Sequence, residues 1–145
     1  MQIVLDLEFT AVAGEAYRAG LRSEVIEIGA VRLDSKGCTA DTFSCFVKPD
    51  YAESISKKVM ALTDIRMSDV SDAPCFAEAL GAFADWVGEC STRMVAWSKA
   101  DRMQIVSECA FKGLEVPSQM KRCLPRDRKG GDAEFERRCG VFCAR

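Results

Sequence analysis

The sequence predicts an α/β domain built on a mixed sheet, and three observations predict it. Residues 2–7 form a short, nearly unbroken run of apolar β-formers, which suits a strand buried on both faces near the middle of a sheet. Two more β-rich runs, 24–33 and 42–48, flank the polar turn Asp34-Ser35-Lys36-Gly37 and make an antiparallel hairpin. Beyond them, helical periodicity alternates with one further apolar run at 93–97, the order that gives parallel strands and covering helices.

In chain order, residues 11–22 are rich in Ala and Gly without strong periodicity and read as a loop or a frayed helix. After Pro49, residues 54–62 suit a short helix and 63–73 a loop. Pro74 then opens a clearer helix: Phe76, Leu80, Phe83 and Val87 recur at helical spacing, with Asp72 close to its start. Ser98 starts a last helix that runs to Lys112, where Gly113 supplies the stop. From residue 123 the periodicity fades into Pro125, Gly130-Gly131 and many arginines, so the expectation is one domain over 1–120 and a basic Arg/Gly/Cys tail, disordered, over 121–145.

Composition narrows the chemistry. The 145 residues contain no histidine, which removes the commonest general base near neutral pH and excludes Ser-His-Asp and Cys-His catalysis. The eight cysteines stand singly, with no Cys-x-x-Cys, and read as small buried hydrophobes rather than as disulfides or zinc ligands. Residues 1–120 carry 12 basic and 18 acidic side chains, whereas 121–145 carry 8 and 4. An acidic body can still meet phosphate if cations bound by its carboxylates supply the local positive charge. No apolar run nears the roughly 18 residues of a membrane span. No basic segment precedes the short apolar start, so a cytoplasmic location is expected.

Carboxylates are therefore the candidate chemistry. Side chains alternate along a strand, so Asp6 and Glu8 share a face, with Cα atoms roughly 6.5 Å apart. Leu5, Leu7 and Phe9 face the other way. Two hard oxygen donors at that spacing suit one divalent cation such as Mg²⁺ or Mn²⁺. The alternative is a pair of solvated acids on an exposed face. A central strand weighs against it, because acids there incur a desolvation cost unless a cation or water meets them. Asp101 follows the last apolar run; Ser98-x-x-Asp101 has capping-box spacing, and a first-turn carboxylate can also point towards a metal.

Taken together, Asp6-Leu7-Glu8-Phe9-Thr10, Glu24-Val25-Ile26-Glu27-Ile28-Gly29-Ala30-Val31, Phe46-Val47-Lys48-Pro49, Leu62-Thr63, Ala73-Pro74 and Val95-Ala96-Trp97-Ser98 with Asp101 occur in an order that resembles the DEDDh 3′-to-5′ exonucleases. The likeness spans residues 2–115 and is strongest to the branch of KapD and the histone-mRNA 3′ exonucleases. It implies a ribonuclease H-like fold and two-metal (Mg²⁺ or Mn²⁺) hydrolysis of single-stranded RNA or DNA from the 3′ end. By the same resemblance Asp6 would bridge both metals, Glu8 would bind the one that activates water, and Asp101 would act directly or through water. The backbone of Phe9 and Thr10 would meet the terminal nucleotide.

The family's third motif, a histidine about five residues before a fourth aspartate, has no counterpart here. Asp127 and Asp132 lack the apolar helical context that would let either take the role. Asp64 stands where the family often has glycine. The expectation is thus a fold whose C-terminal strand and helix are incomplete, with activity impaired by the missing base. Two other readings stay open: a non-catalytic nucleic-acid-binding module, with Arg126, Arg128, Lys129, Arg137 and Arg138 as phosphate contacts, and an incomplete product without function.

Overall fold

An acid-bearing strand that is otherwise apolar must sit inside a sheet, and the first strand does. A computed structural model describes residues 1–88, 93–121 and 124–125. In it β1 (Gln2–Ala11) is followed by α1 (Gly14–Arg18), β2 (Ser23–Leu33) and β3 (Thr39–Phe46). Then come α2 (Lys57–Thr63), α3 (Met67–Val70), α4 (Phe76–Val87), β4 (Arg93–Ala96), α5 (Lys99–Lys112), α6 (Ser118–Lys121) and the two-residue β5 (Leu124–Pro125). The sheet order is β3-β2-β1-β4-β5, which puts β1 in the centre. β2 is antiparallel to both β1 and β3, whereas β4 is parallel to β1 and β5 parallel to β4.

The pleat divides β1 between two environments. Ile3, Leu5 and Leu7 join Ile28, Ala30, Met94 and Ala96 against Phe76, Leu80 and Phe83 of α4 and Ile105 and Cys109 of α5. Each such side chain, fully buried, contributes about 1.5–3 kcal/mol of transfer free energy. On the other face Val4 packs with Val31, Leu33 and Trp97, and Asp6 and Glu8 continue that row. A smaller cluster of Ile26, Ile55, Ile65 and Val70 seats α2 and α3. The register of β1 on β2 shifts between Glu8 and Phe9, so Glu8 faces Glu27 while Phe9 faces Val25.

A buried ionic network closes the far end of the helical layer. Lys112 Nζ lies 2.9 Å from Glu24, 2.8 Å from Asp50 and 2.9 Å from Glu108. These are close ion pairs rather than well-directed hydrogen bonds at Lys112 Nζ and Glu108 Oε1. Burial alone would lower the lysine pKa, but its carboxylate partners Asp50, Glu108 and Glu24 hold it above the usual range. Glu108 also accepts the Val25 N–H at 2.9 Å, so the lysine and its partners tie α5 to the start of β2.

The hairpin, the central first strand and the helices after residues 74 and 98 are where the sequence puts them, and Gly113 adopts φ 67° as the helix stop. β1 runs to Ala11 rather than ending at Leu7, because pairing with β2 continues past the register shift to Ser23. Residues 63–73 are not all loop: Asp69 accepts the Arg66 N–H at 2.7 Å and caps the single turn α3. At the sheet edge, the two residues of β5 occupy the position beside β4. Of the four cysteines described, only Cys109 is buried; Cys38 is exposed, so burial is not their common role. Among the described residues no helix is long and apolar enough to cross a membrane. The tail residues Arg126, Arg128, Lys129, Arg137 and Arg138, together with Asp127 and Asp132, lie outside the described residues.

Asp64 closes α2 in the left-handed region at φ 58° and ψ 10°, where its N–H bonds the Met60 carbonyl. A Cβ is strained there and glycine is not. Asp64→Gly is expected to stabilise the fold by about 0.5–1 kcal/mol, read as a higher urea midpoint at unchanged slope.

Candidate metal and nuclease site

Pairing between β1 and β4 ends early. Leu5 faces Ala96, the Trp97 N–H reaches the Leu5 carbonyl at 2.7 Å, and β1 then runs on beyond the shorter strand. Asp6 and Glu8 lie on this extension, on one face, at the C-terminal half of the central strand. That is the usual place for function in an open α/β sheet, since chain leaving the strand ends lines a crevice there.

Asp101, on α5, lies close enough for its charge to act on Asp6 and Glu8. Ser98, extended at φ −137°, begins the helix; the Asp101 carboxylate accepts the Ser98 N–H at 2.5 Å, and Ser98 Oγ accepts the Asp101 N–H at 3.4 Å. A further backbone hydrogen bond from Leu7 acts on the Asp101 carboxylate, linking it to β1. The cap and the approach to Asp6 and Glu8 are thus the work of one buried side chain.

The electrostatics are those of an uncompensated acidic cluster. Asp6 is pushed up to about 7, first by burial, then by the charges of Asp101 and Glu8; a Leu7 backbone bond opposes this and Glu27 adds to it. Burial also raises Glu8, with Glu27 and Asp101 contributing. Asp101 is raised by burial against the hydrogen bonds of its own cap. Among the described residues, every charged neighbour that acts on Asp6 is another carboxylate. Among the described residues, no three such side chains are gathered into a cage that would hold an ion unaided. Mg²⁺ sites seldom need one, because the ion keeps several waters and takes one or two carboxylates plus substrate phosphate.

Phe9 and Thr10 sit at the same end of β1. Phe9 is half-buried against the core that α4 and α5 cover. Thr10 is buried, and its Oγ1 accepts the Ser56 N–H at 3.3 Å, so its side chain holds the start of α2. Their side chains are engaged in packing, and β4, whose pairing ends at Leu5, does not reach this end of β1.

Residues 3–96 match the RNase T exonuclease family. The chain belongs to that family. It is 37% identical over 84 residues to the PolC-type DNA polymerase III of Caldanaerobacter subterraneus, covering 58% of this chain and 5% of that protein. To the DNA polymerase III subunit epsilon of Escherichia coli it is 32% identical over 88 residues, 59% of this chain and 34% of that one. The chain therefore spans only about a third or less of the length of these two curated relatives. Among solved structures, a full-length 3′-exonuclease superposes with a TM-score of 0.66 at 23% identity, covering 79% of this chain and 53% of the other. The nuclease domain of 3′hExo, a DEDDh family member bound to rAMP, gives 0.65 at 23% identity over 81% and 62%. The sheet and its helices are thus the fold of the DEDDh exonucleases.

One carboxylate of this exonuclease domain goes unnoticed when the sequence is read for Asp-x-Glu pairs. Glu27 stands directly across from Glu8 in the β1–β2 register and accepts a hydrogen bond from Ser44 Oγ at 2.8 Å. The signal for it was present: an acid between Ile26 and Ile28 in the mostly apolar β2, on the alternation that faces Asp6 and Glu8.

A carboxyl whose folded pKa is raised stabilises the protein only while protonated. Its contribution is complete below the unfolded pKa near 4 and is lost as pH rises through about 7. In chelator-treated buffer, Asp6→Asn should therefore match the wild type near pH 4 and exceed its stability at pH 8. The expected gain is on the order of 2–4 kcal/mol, measured by denaturant unfolding across that range.

Proposed function

We propose that this chain is a metal-dependent 3′-to-5′ exonuclease domain that hydrolyses phosphodiester bonds at the 3′ end of single-stranded RNA or DNA. The observation that carries the reading is that Asp101 and Glu8 act electrostatically on half-buried Asp6, with carboxylates as its only charged neighbours among the described residues. Hard anionic oxygens in that number fit Mg²⁺ or Mn²⁺, and a site without its own cation fits metal better than it fits bare phosphate. Membership of the exonuclease family supports the reaction class.

In this reading Asp6, Glu8 and Asp101 are the metal-binding and catalytic carboxylates. When bound, divalent cations supply water activation and balance charge on the attacking and leaving oxygens. The chain's own residues do the rest. Rigid β1 fixes the spacing of Asp6 and Glu8, the Ser98 cap fixes Asp101, and the backbone near Phe9 and Thr10 receives the terminal nucleotide. Water attacks phosphorus, the bond to the O3′ of the preceding nucleotide breaks, and that oxygen takes up a proton as a nucleoside monophosphate leaves.

A second reading, binding without turnover, is favoured by one specific fact: the sequence holds no histidine to accept the proton of water. Loss of a typical general base costs on the order of 10²–10⁴ in rate, which leaves a slow enzyme rather than none. The test is degradation of 3′-ended single-stranded RNA and DNA with Mg²⁺ or Mn²⁺. Wild type is expected to shorten the strands stepwise from the 3′ end, and Asp6→Ala, Glu8→Ala and Asp101→Ala each to lose at least about 100-fold. Equal product from wild type and Asp6→Ala would refute turnover at this site.

A further inference from the structure

The network around Lys112 reaches beyond α5. Glu24, which the lysine neutralises, is fully buried and accepts three successive backbone N–H groups. Its Oε1 takes the Asp50 N–H at 2.9 Å, and its Oε2 takes those of Tyr51 at 2.9 Å and Ala52 at 2.8 Å. The chain leaving β3 is thus hung on one carboxylate whose charge is met by one lysine. A few residues later the Ser56 N–H bonds Thr10 Oγ1, and Ser56 Oγ caps α2 by accepting the Val59 N–H at 3.2 Å. α2 in turn packs against β1. Glu24 is itself the register partner of Thr10, two residues beyond Glu8.

Resting on the nuclease reading, we infer that Lys112 is a positioning residue for the substrate. By neutralising Glu24 it holds residues 50–56 and the start of α2 as the wall along which a nucleic-acid strand reaches the carboxylates. Three features point this way. One lysine faces three carboxylates, an excess of negative charge that apolar side chains of similar volume would avoid at equal or better stability. What the arrangement fixes instead is the course of the backbone at 50–52. Ser56 is followed directly by Lys57 and Lys58, both exposed, which brings positive charge to the start of α2 on the route to an acidic site. The metal ligands do not depend on the network, because β1 carries Asp6 and Glu8 and the Ser98 cap holds Asp101.

The experiment compares wild type with Lys112→Met, Lys112→Arg and Asp50→Ala. Affinity for a labelled single strand with a free 3′ end is read by anisotropy in Ca²⁺, cleavage kinetics in Mg²⁺, and Mn²⁺ affinity separately. Lys112→Met should raise both Kd and KM by about 10-fold, change kcat by less than about 3-fold and leave Mn²⁺ binding unchanged. Amide exchange should quicken over residues 50–63 and not over 3–7. Lys112→Arg should recover much of the affinity. Asp50→Ala removes a half-exposed acid from a network with acid in excess, so it folds and moves the same quantities less far; it decides the matter if Lys112→Met does not fold. Variants that bind the strand as wild type does, or that lose kcat or Mn²⁺ affinity at unchanged KM, overturn the proposal alone. A wild type that neither binds nor cleaves the strand overturns the nuclease reading and this proposal with it.

Discussion

Asp6 sits on the central strand of the sheet, half-buried, beside Glu8 and within the field of Asp101 and Glu27, and most of the architecture follows from keeping it there. A carboxylate in that position costs free energy when ionised, because it is desolvated and repelled, and is relieved only by a proton or a cation. Among the described residues, no lysine or arginine acts on Asp6 to relieve the strain. The fold places its well-buried cation, Lys112, at the opposite end of α5, where Glu24 and Glu108 need it. The acidic cluster is left to be completed by something from solution, and a divalent cation is the chemically simplest completion.

The same economy governs α5, which serves the site at one end and the fold at the other. Its first turn carries Asp101, locked by the Ser98 cap. Its middle buries Ile105 and Cys109 against β1 and β4, and its last turns carry Glu108 and Lys112, which fasten β2 and the chain after β3. The Ser98 cap and the packed inner face hold the first turns of α5 against β1. The distance between Asp101 and the Asp6–Glu8 pair is therefore set by packing rather than by the ligand.

The central β1, the hairpin and α4 were legible because their signals are local: continuous apolar β-formers, a four-residue polar turn, and Phe76, Leu80, Phe83 and Val87 at helical spacing. Asp6 and Glu8 could be paired from alternation alone, and Ser98 with Asp101 from capping spacing. Glu27 was not read as part of the site, since its position depends on the β1–β2 register and on a shift between Glu8 and Phe9 that spacing does not disclose. The bond that commits the Thr10 hydroxyl to Ser56 was equally hidden, since it joins residues 46 apart in sequence. The Lys112 network was equally invisible, because it joins three segments that become neighbours only once the sheet is formed. The short α3 escaped notice for a simpler reason, its single turn being too brief to show a period.

The central claim is that the Asp6 cluster is an acidic site awaiting a cation, and calorimetric titration of chelator-treated protein with Mn²⁺ at several pH values tests it most directly. Protons and metal compete for the same oxygens. Affinity should therefore strengthen as pH rises from about 6 to 8, protons should be released on binding in proportion to the fraction of Asp6 still protonated, and both effects should vanish in Asp6→Asn. Binding that is absent in the wild type, or that is independent of pH and unchanged in Asp6→Asn, would contradict the account.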